Sequence, residues 1–181
     1  SQLAPAAVEL DRPAGSDDAT CVVLIEGTPA AVPVRQAEAW AMLGGSPAEE
    51  PAWWGRLPSA DGDVLLKVTA TLPGVARVLE AARAAEQVRG VGIAVRGSAG
   101  GVLWASLPAD DPAAAAGVVA DLRRATPRPA DGTVTVLRAP RAVREAVDVW
   151  GPVPGLDLMR RVKEQFDPGR TLSPGRFVGG I

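Results

Sequence analysis

The clearest hydrophobic pattern lies between residues 64 and 138. Val64–Ala70 is an apolar, β-branched run and predicts a strand. Over 73–88, Val75, Val78, Leu79 and Ala82 recur at helical spacing, and Gly90 supplies a stop. Residues 91–96 read as a strand, Gly97-Ser98-Ala99-Gly100-Gly101 as a turn and Val102–Leu107 as a further strand, which together predict a hairpin. Asp111-Pro112 opens a helix that runs to about Ala125. In 133–137, Val134 and Val136 share one face of a strand.

The flanks are less regular. Residues 1–19 are mixed, with Pro5, Pro13, Gly15 and Asp17-Asp18, and read as a linker or arm. Cys21-Val22-Val23-Leu24-Ile25 predicts a buried strand in which Cys21 serves as a small hydrophobe. Thr28-Pro29 reads as an N-cap with a first-turn proline, leading into a helix to about Leu43 that Gly44-Gly45 ends. Pro33 sits awkwardly inside that helix, so its regular part is expected to begin only there. Residues 46–62 are irregular. Two more helices are expected, one over 140–150 with Val143, Ala146, Val147 and Trp150 on one face. The other spans 156–166 and presents Leu158, Val162 and Phe166. The residue before Pro168 resists helical geometry, which stops the last helix near Asp167.

The order over 64–138 is therefore β-α-β-β-α-β, the split βαβ arrangement of a ferredoxin-like antiparallel sheet with two helices on one face. An N-terminal strand and helix and the C-terminal helices extend it. The expectation is one α+β domain over 20–181, preceded by the 1–19 arm.

Composition narrows the function. The chain has 181 residues, 47% of them hydrophobic and 22% charged, with a net charge of −2. No apolar run reaches the roughly 20 residues of a membrane span, no secretory signal is legible, and the charge argues against nucleic acid. The absence of histidine removes Ser-His-Asp and Cys-His catalysis and the usual zinc sites. One cysteine permits no internal disulfide and points to a reducing, intracellular setting. The chain does not open on methionine, the mark of a fragment or a processed chain.

Three segments carry candidate chemistry. Gly97–Gly101 is glycine-rich, but it lies between two strands rather than before a helix, so it is a hairpin turn or a loop that approaches a ligand. Trp53-Trp54-Gly55-Arg56 sets a guanidinium beside two aromatics; it is a carboxylate grip or a packing pair with a solvated arginine. The run 166–177 has two Pro-Gly pairs and two arginines, and is a tail strapped over the surface or a loop held rigid against a ligand.

That last run resembles the C-terminal end of the FAD-linked oxidases related to glycolate oxidase, which reads close to K-x-x-FDP-x-x-x-x-NPG-(R/K)-F. Here the matching residues are Lys163, Phe166-Asp167-Pro168 and Ser173-Pro174-Gly175-Arg176-Phe177. LAPAAVEL at residues 3–10 and the Ile25-Glu26-Gly27-Thr28-Pro29 turn are similar to the middle of the FAD-binding subunits of that family. The resemblance implies the cap half of such a subunit, lying over a flavin bound by an N-terminal half that this chain lacks. It implies FAD as cofactor of the complete protein and oxidation of a small 2-hydroxy acid to the 2-oxo acid. Trp53 and Arg56 look like the family's W-x-x-R segment and would hold the substrate carboxylate. Ser173, Pro174, Gly175 and Arg176 would lie near the flavin, with Ser173 where the family has asparagine. The family's histidine-rich metal stretch falls on 96–104, where no ligand remains, so no metal and no catalytic residue are expected; this favours the accessory subunit. The implied partners are the flavin-binding half and sibling subunits, in the cytoplasm and at the inner membrane through a complex. Two other expectations stand beside this one: a free-standing ferredoxin-like module for a small molecule, and a domain that joins subunits through its tryptophans.

Overall fold

In the computed structural model, residues 3–127 and 130–181 are described; residues 1 and 2 of the expected arm, with 128 and 129, lie outside that set. The chain forms β1 (Ala7–Arg12), β2 (Thr20–Leu24), α1 (Ala31–Leu43), β3 (Val64–Ala70), α2 (Leu72–Arg89), β4 (Ala94–Ser98), β5 (Val102–Leu107), α3 (Pro112–Ala125), β6 (Gly132–Arg138), α4 (Arg141–Ala146) and α5 (Leu156–Phe166). The strands make one antiparallel sheet in the order β2-β1-β4-β5-β3-β6. This is an α+β fold with five α-helices among the described residues.

Alternation in the strands decides which side of the sheet is covered. Val64, Leu66 and Val68 of β3, Val95 of β4, Leu103, Ala105 and Leu107 of β5, and Val134 and Val136 of β6 point into one core. Val75, Val78, Ala82 and Ala85 of α2 and Ala115, Val118, Val119 and Leu122 of α3 close it from the same side. Both helices begin and end where the sequence says they should. Asp111 Oδ1 accepts from the amides of Ala113 and Ala114 at 2.9 and 3.0 Å. Gly90 closes α2 with a left-handed residue whose amide reaches the Glu86 carbonyl.

Of the glycine run, Gly97 and Ser98 end β4, and Ala99-Gly100-Gly101 make the β4–β5 hairpin turn. The Gly101 amide donates to the Ser98 carbonyl at 3.0 Å, and the Gly101 carbonyl accepts from Ala70 at 2.8 Å. Gly101 has φ +104, and a Cβ there would stand 2.1 Å from the Ala70 carbonyl oxygen. The glycine is required by this close approach.

Several expectations change. The segment expected as an arm contains β1, which pairs with both β2 and β4. Its Leu10 joins the core, and its charged Asp11 and Arg12 have partners once the strand is seated. The run expected as a buried strand becomes β2 at the sheet edge, so Cys21 is exposed. The strand expected over 91–96 starts at Ala94, because the Ile93 amide goes to Glu86 Oε1 at 2.6 Å and the Ile93 carbonyl to Arg12 Nη1 at 3.0 Å.

The helix of 31–43 is not capped by the Thr28 side chain. Ala30 is the cap, and Pro33 is tolerated because a first-turn position needs no amide donor. The helix expected over 140–150 ends at Ala146. Val147 is extended, and the Val149 carbonyl takes the Val136 amide at 2.8 Å, an edge donor of β6 that would otherwise lack a protein acceptor. The apolar face of α5 forms as expected but is not buried, with Leu158 57% and Phe166 83% exposed.

Candidate functional site

The side of the sheet opposite α2 and α3 carries the residues of the other parity: Glu9 and Asp11 on β1, Arg96 on β4, Trp104 on β5 and Lys67 on β3. The register places Asp11 opposite Arg96, Arg96 opposite Trp104, and Trp104 opposite Lys67. Four neighbouring strands thus contribute one row of polar and aromatic groups.

The 53–57 segment lies over this row, held there by Arg96. Its Nε donates to Asp11 Oδ1 at 2.7 Å, and its Nη1 donates to the carbonyls of Arg56 and Leu57 at 3.2 and 3.4 Å. The Arg96 guanidinium also sits over the Trp53 ring, 5.5 Å from its centroid, and Trp53 packs on Trp54 at 6.1 Å. A turn closes the segment, with the Arg56 amide donating to the Trp53 carbonyl at 3.0 Å through a left-handed Gly55.

Between segment and sheet runs a groove of about 390 Å³ whose lining includes Glu9, Trp53, Trp54, Arg56, Arg96 and Trp104. Its electrostatics are uneven. Arg96 is engaged by Asp11. Among the described residues, neither the Arg56 guanidinium nor the Glu9 carboxyl has a hydrogen-bond or ion-pair partner. Burial pushes the Glu9 carboxyl above its ordinary value. A free guanidinium beside tryptophan walls suits a small carboxylate, which it can grip with two parallel hydrogen bonds.

The structure brings Trp53 and Arg56 together, as the W-x-x-R spacing allows. It does not bring the C-terminal candidates to them. Pro174 and Gly175 line a different cavity of about 400 Å³ with Arg160, Lys163 and Arg170, and it shares no lining residue with the groove. Ser173 and Arg176 form a turn there, the Arg176 amide donating to the Ser173 carbonyl at 3.2 Å.

The tail keeps its shape through Asp167, which accepts from Thr171 N and Oγ1 at 2.9 and 3.0 Å and from Leu172 N at 3.1 Å. Lys163 Nζ lies 2.6 Å from the same carboxylate. Farther along, Phe177 packs edge-on against Trp150 at 5.3 Å and Val178 is buried. The Lys163 ammonium first, and then the Thr171 amide, hold the Asp167 carboxyl well below the usual carboxylate range.

A depressed native value stabilises the tail above the ordinary carboxylate titration of about 3.9, and the effect fades as pH falls through the native titration. Asp167→Asn is therefore expected to speed amide exchange at Thr171 and Leu172 at neutral pH. Unchanged exchange would show that the turn residues hold the tail without this carboxylate.

Sequence reasoning missed Arg96 and Glu9. The signal for Glu9 was present: Val8 and Leu10 alternate with Ala7, Glu9 and Asp11, a period-two pattern hidden by three charges in four residues. Arg96 carried no such signal, because only the register shows which loop it reaches. Among the described residues no three histidine, cysteine or acidic side chains come together as a metal site would require. No helix among them is long and apolar enough to cross a membrane. Comparison of the chain with known protein families, with curated proteins and with solved structures finds no match.

Proposed function

We propose that this chain is the cap domain of an FAD-dependent oxidase of 2-hydroxy acids, and that the groove under the 53–57 segment binds the substrate carboxylate at Arg56. The observation that carries this reading is the exposed, unpaired Arg56 guanidinium, which shares with Trp53, Trp54 and Trp104 the lining of a groove whose outer segment Arg96 holds. The fold supports it: β3-α2-β4-β5-α3-β6, with neighbours β4-β5-β3-β6, is compatible with the ferredoxin-like scheme such a cap would have.

The tail supports a flavin neighbour in a limited way. Ser173 and Gly175 have φ +45 and +71. Asparagine, the residue that the related sequences have in place of Ser173, adopts that left-handed region more readily than serine. The Ser173 hydroxyl, the turn amides and the exposed Arg176 side chain suit the oxygens of a flavin edge. These residues fit as a contact and not as an enclosing site, in keeping with FAD held by another segment. When bound, FAD would accept the hydride that leaves the hydroxyl-bearing carbon. This chain's part is to orient the carboxylate and to cover the site. The uncovered apolar groove of about 450 Å³ along Leu158, Met159, Val162, Phe166 and Leu172 is the surface this reading offers to the flavin-binding half.

Acetate tests the carboxylate site alone. Three of the five tryptophans line the groove, so their indole NMR signals report binding. Acetate is expected to shift them, and Arg56→Ala to weaken that binding about tenfold, the low end of the about 1.5–3 kcal/mol that a charge-assisted hydrogen bond is worth. Shifts of equal size in wild type and variant would remove Arg56 from the site. The chain alone is expected to oxidise no 2-hydroxy acid, while the native protein captured from its source cells should show a flavin spectrum.

A further inference from the structure

Glu9 is the second unpaired charge of the groove. On β1 it stands opposite Val22 of β2 on one side and Ser98 of β4 on the other. Val22 has no polar side-chain atom. The Ser98 hydroxyl is occupied elsewhere, 3.5 Å from the Val8 carbonyl and accepting from the Gly100 amide at 3.1 Å.

Two residues along the same face, Asp11 is matched by Arg96 at 2.7 Å. Arg96 turns its Nε to Asp11 and its Nη1 to the carbonyls of the 53–57 segment, and it makes no hydrogen bond or ion pair with Glu9. A half-buried carboxyl with no protein partner keeps its acceptor positions open to the groove. Here the groove leaves room for a partner to arrive from outside. Glu9 and Arg56 line one groove of about 390 Å³, enough for a molecule of a few non-hydrogen atoms. An acceptor and a cation in one aromatic-walled space are complementary to a small molecule bearing both an anionic group and a hydrogen-bond donor.

We propose that Glu9 is the specificity-determining residue of this groove, accepting a hydrogen bond from a hydroxyl or ammonium group on a small ligand whose carboxylate is held by Arg56. The inference rests on the carboxylate reading above and adds to it the demand for a donor. A site built to satisfy a donor discriminates against the analogue that lacks it, because its own polar group is then left unpaired.

Three probes of nearly equal size separate these claims in the 181-residue chain: acetate without a donor, glycolate with a hydroxyl, and glycine with an ammonium group. Followed by the indole signals, glycolate and glycine are expected to bind about fivefold more tightly than acetate, the worth of one hydrogen bond. In Glu9→Ala the three affinities should converge. Glu9→Gln keeps a carbonyl acceptor without the charge, so it should retain part of the glycolate preference and lose that for glycine. It also carries the test if the alanine variant fails to fold. Equal binding of all three probes by the wild type, with acetate still sensitive to Arg56→Ala, would overturn the role of Glu9 and leave the carboxylate reading standing. Absence of binding by every probe would overturn both.

Discussion

Glu86→Ala is expected to remove about 3–5 kcal/mol of folding stability, a large share of the roughly 5–15 kcal/mol that holds a domain together. Arg12 is only 2% exposed and reaches the Glu86 carboxylate from β1, which it ties to α2. Glu86 Oε1 also accepts the amides of Gly15 at 2.8 Å and Ile93 at 2.6 Å. One carboxylate therefore fixes the end of β1, the turn after it and the entry to β4. Burial works against its ionisation, but the bonds from Arg12, Ile93 and Gly15 outweigh it and hold the carboxyl below its ordinary value. Glu86 thus stabilises the fold above the usual carboxylate titration, and the contribution is lost as pH falls through its native value.

Alanine would leave a buried guanidinium, whose Nε already lacks a partner, without its counter-charge, and would strand the Ile93 amide. Urea denaturation measures the loss. A change below about 1 kcal/mol would mean that Arg12 finds another acceptor or water. Replacing both residues by apolar ones, Arg12→Met with Glu86→Leu, is expected to recover the part of the deficit that comes from the uncompensated charge, but not the part from the Ile93 amide and carbonyl, which lose these partners.

Arg96→Ala is expected to dismantle the groove. The side chain is the shared support of Asp11, the carbonyls of residues 56 and 57 and the Trp53 ring. Its removal should free the 53–57 segment, red-shift the tryptophan emission as Trp53 meets water, and weaken acetate binding at least tenfold, although Arg96 need not touch the ligand. Hydrogen exchange at Trp54 and Arg56, whose amides close the segment's turns at 2.9 and 3.0 Å, distinguishes a lost support from a lost ligand contact. Fast exchange at these amides without ligand is the expected result; protected amides with acetate binding lost would make Arg96 a direct ligand instead. Lysine at this position keeps the charge but not the planar fork, and should restore the pair with Asp11 without holding the segment.

The two variants probe different levels of one design. The Arg12–Glu86 pair lies on the helix side and holds β1 in the sheet. Once β1 is there, its other parity, Glu9 and Asp11, becomes available to the opposite side. Loss of Glu86 should therefore disturb the groove as well as the fold, whereas loss of Arg96 should leave the helix-side core largely intact.

The sequence by itself determined the elements between 64 and 138, except the bounds of β4, which Glu86 and Arg12 shift. Val64–Ala70 and Val102–Leu107 form over the residues expected, and the helices keep their apolar faces and their glycine or aspartate ends. These are local properties, set by side-chain period, caps and turn residues. Trp53 and Arg56 were legible as a pair for the same reason, three residues apart on one turn.

What lay outside local pattern was decided by pairing across the chain. β1 looked like an arm because its Arg12 and Asp11 find their partners 74 and 85 residues away, at Glu86 and Arg96. Cys21 looked buried because apolar character does not reveal whether a strand is central or at an edge. The apolar face of α5 was equally visible, yet no periodicity says whether anything covers it. The groove belongs to this second class. It exists because an antiparallel register sets Asp11, Arg96, Trp104 and Lys67 side by side and leaves Arg96 long enough to reach a loop 40 residues earlier. Local sequence dictates which way a side chain faces on its own element, and only tertiary pairing decides what stands opposite it.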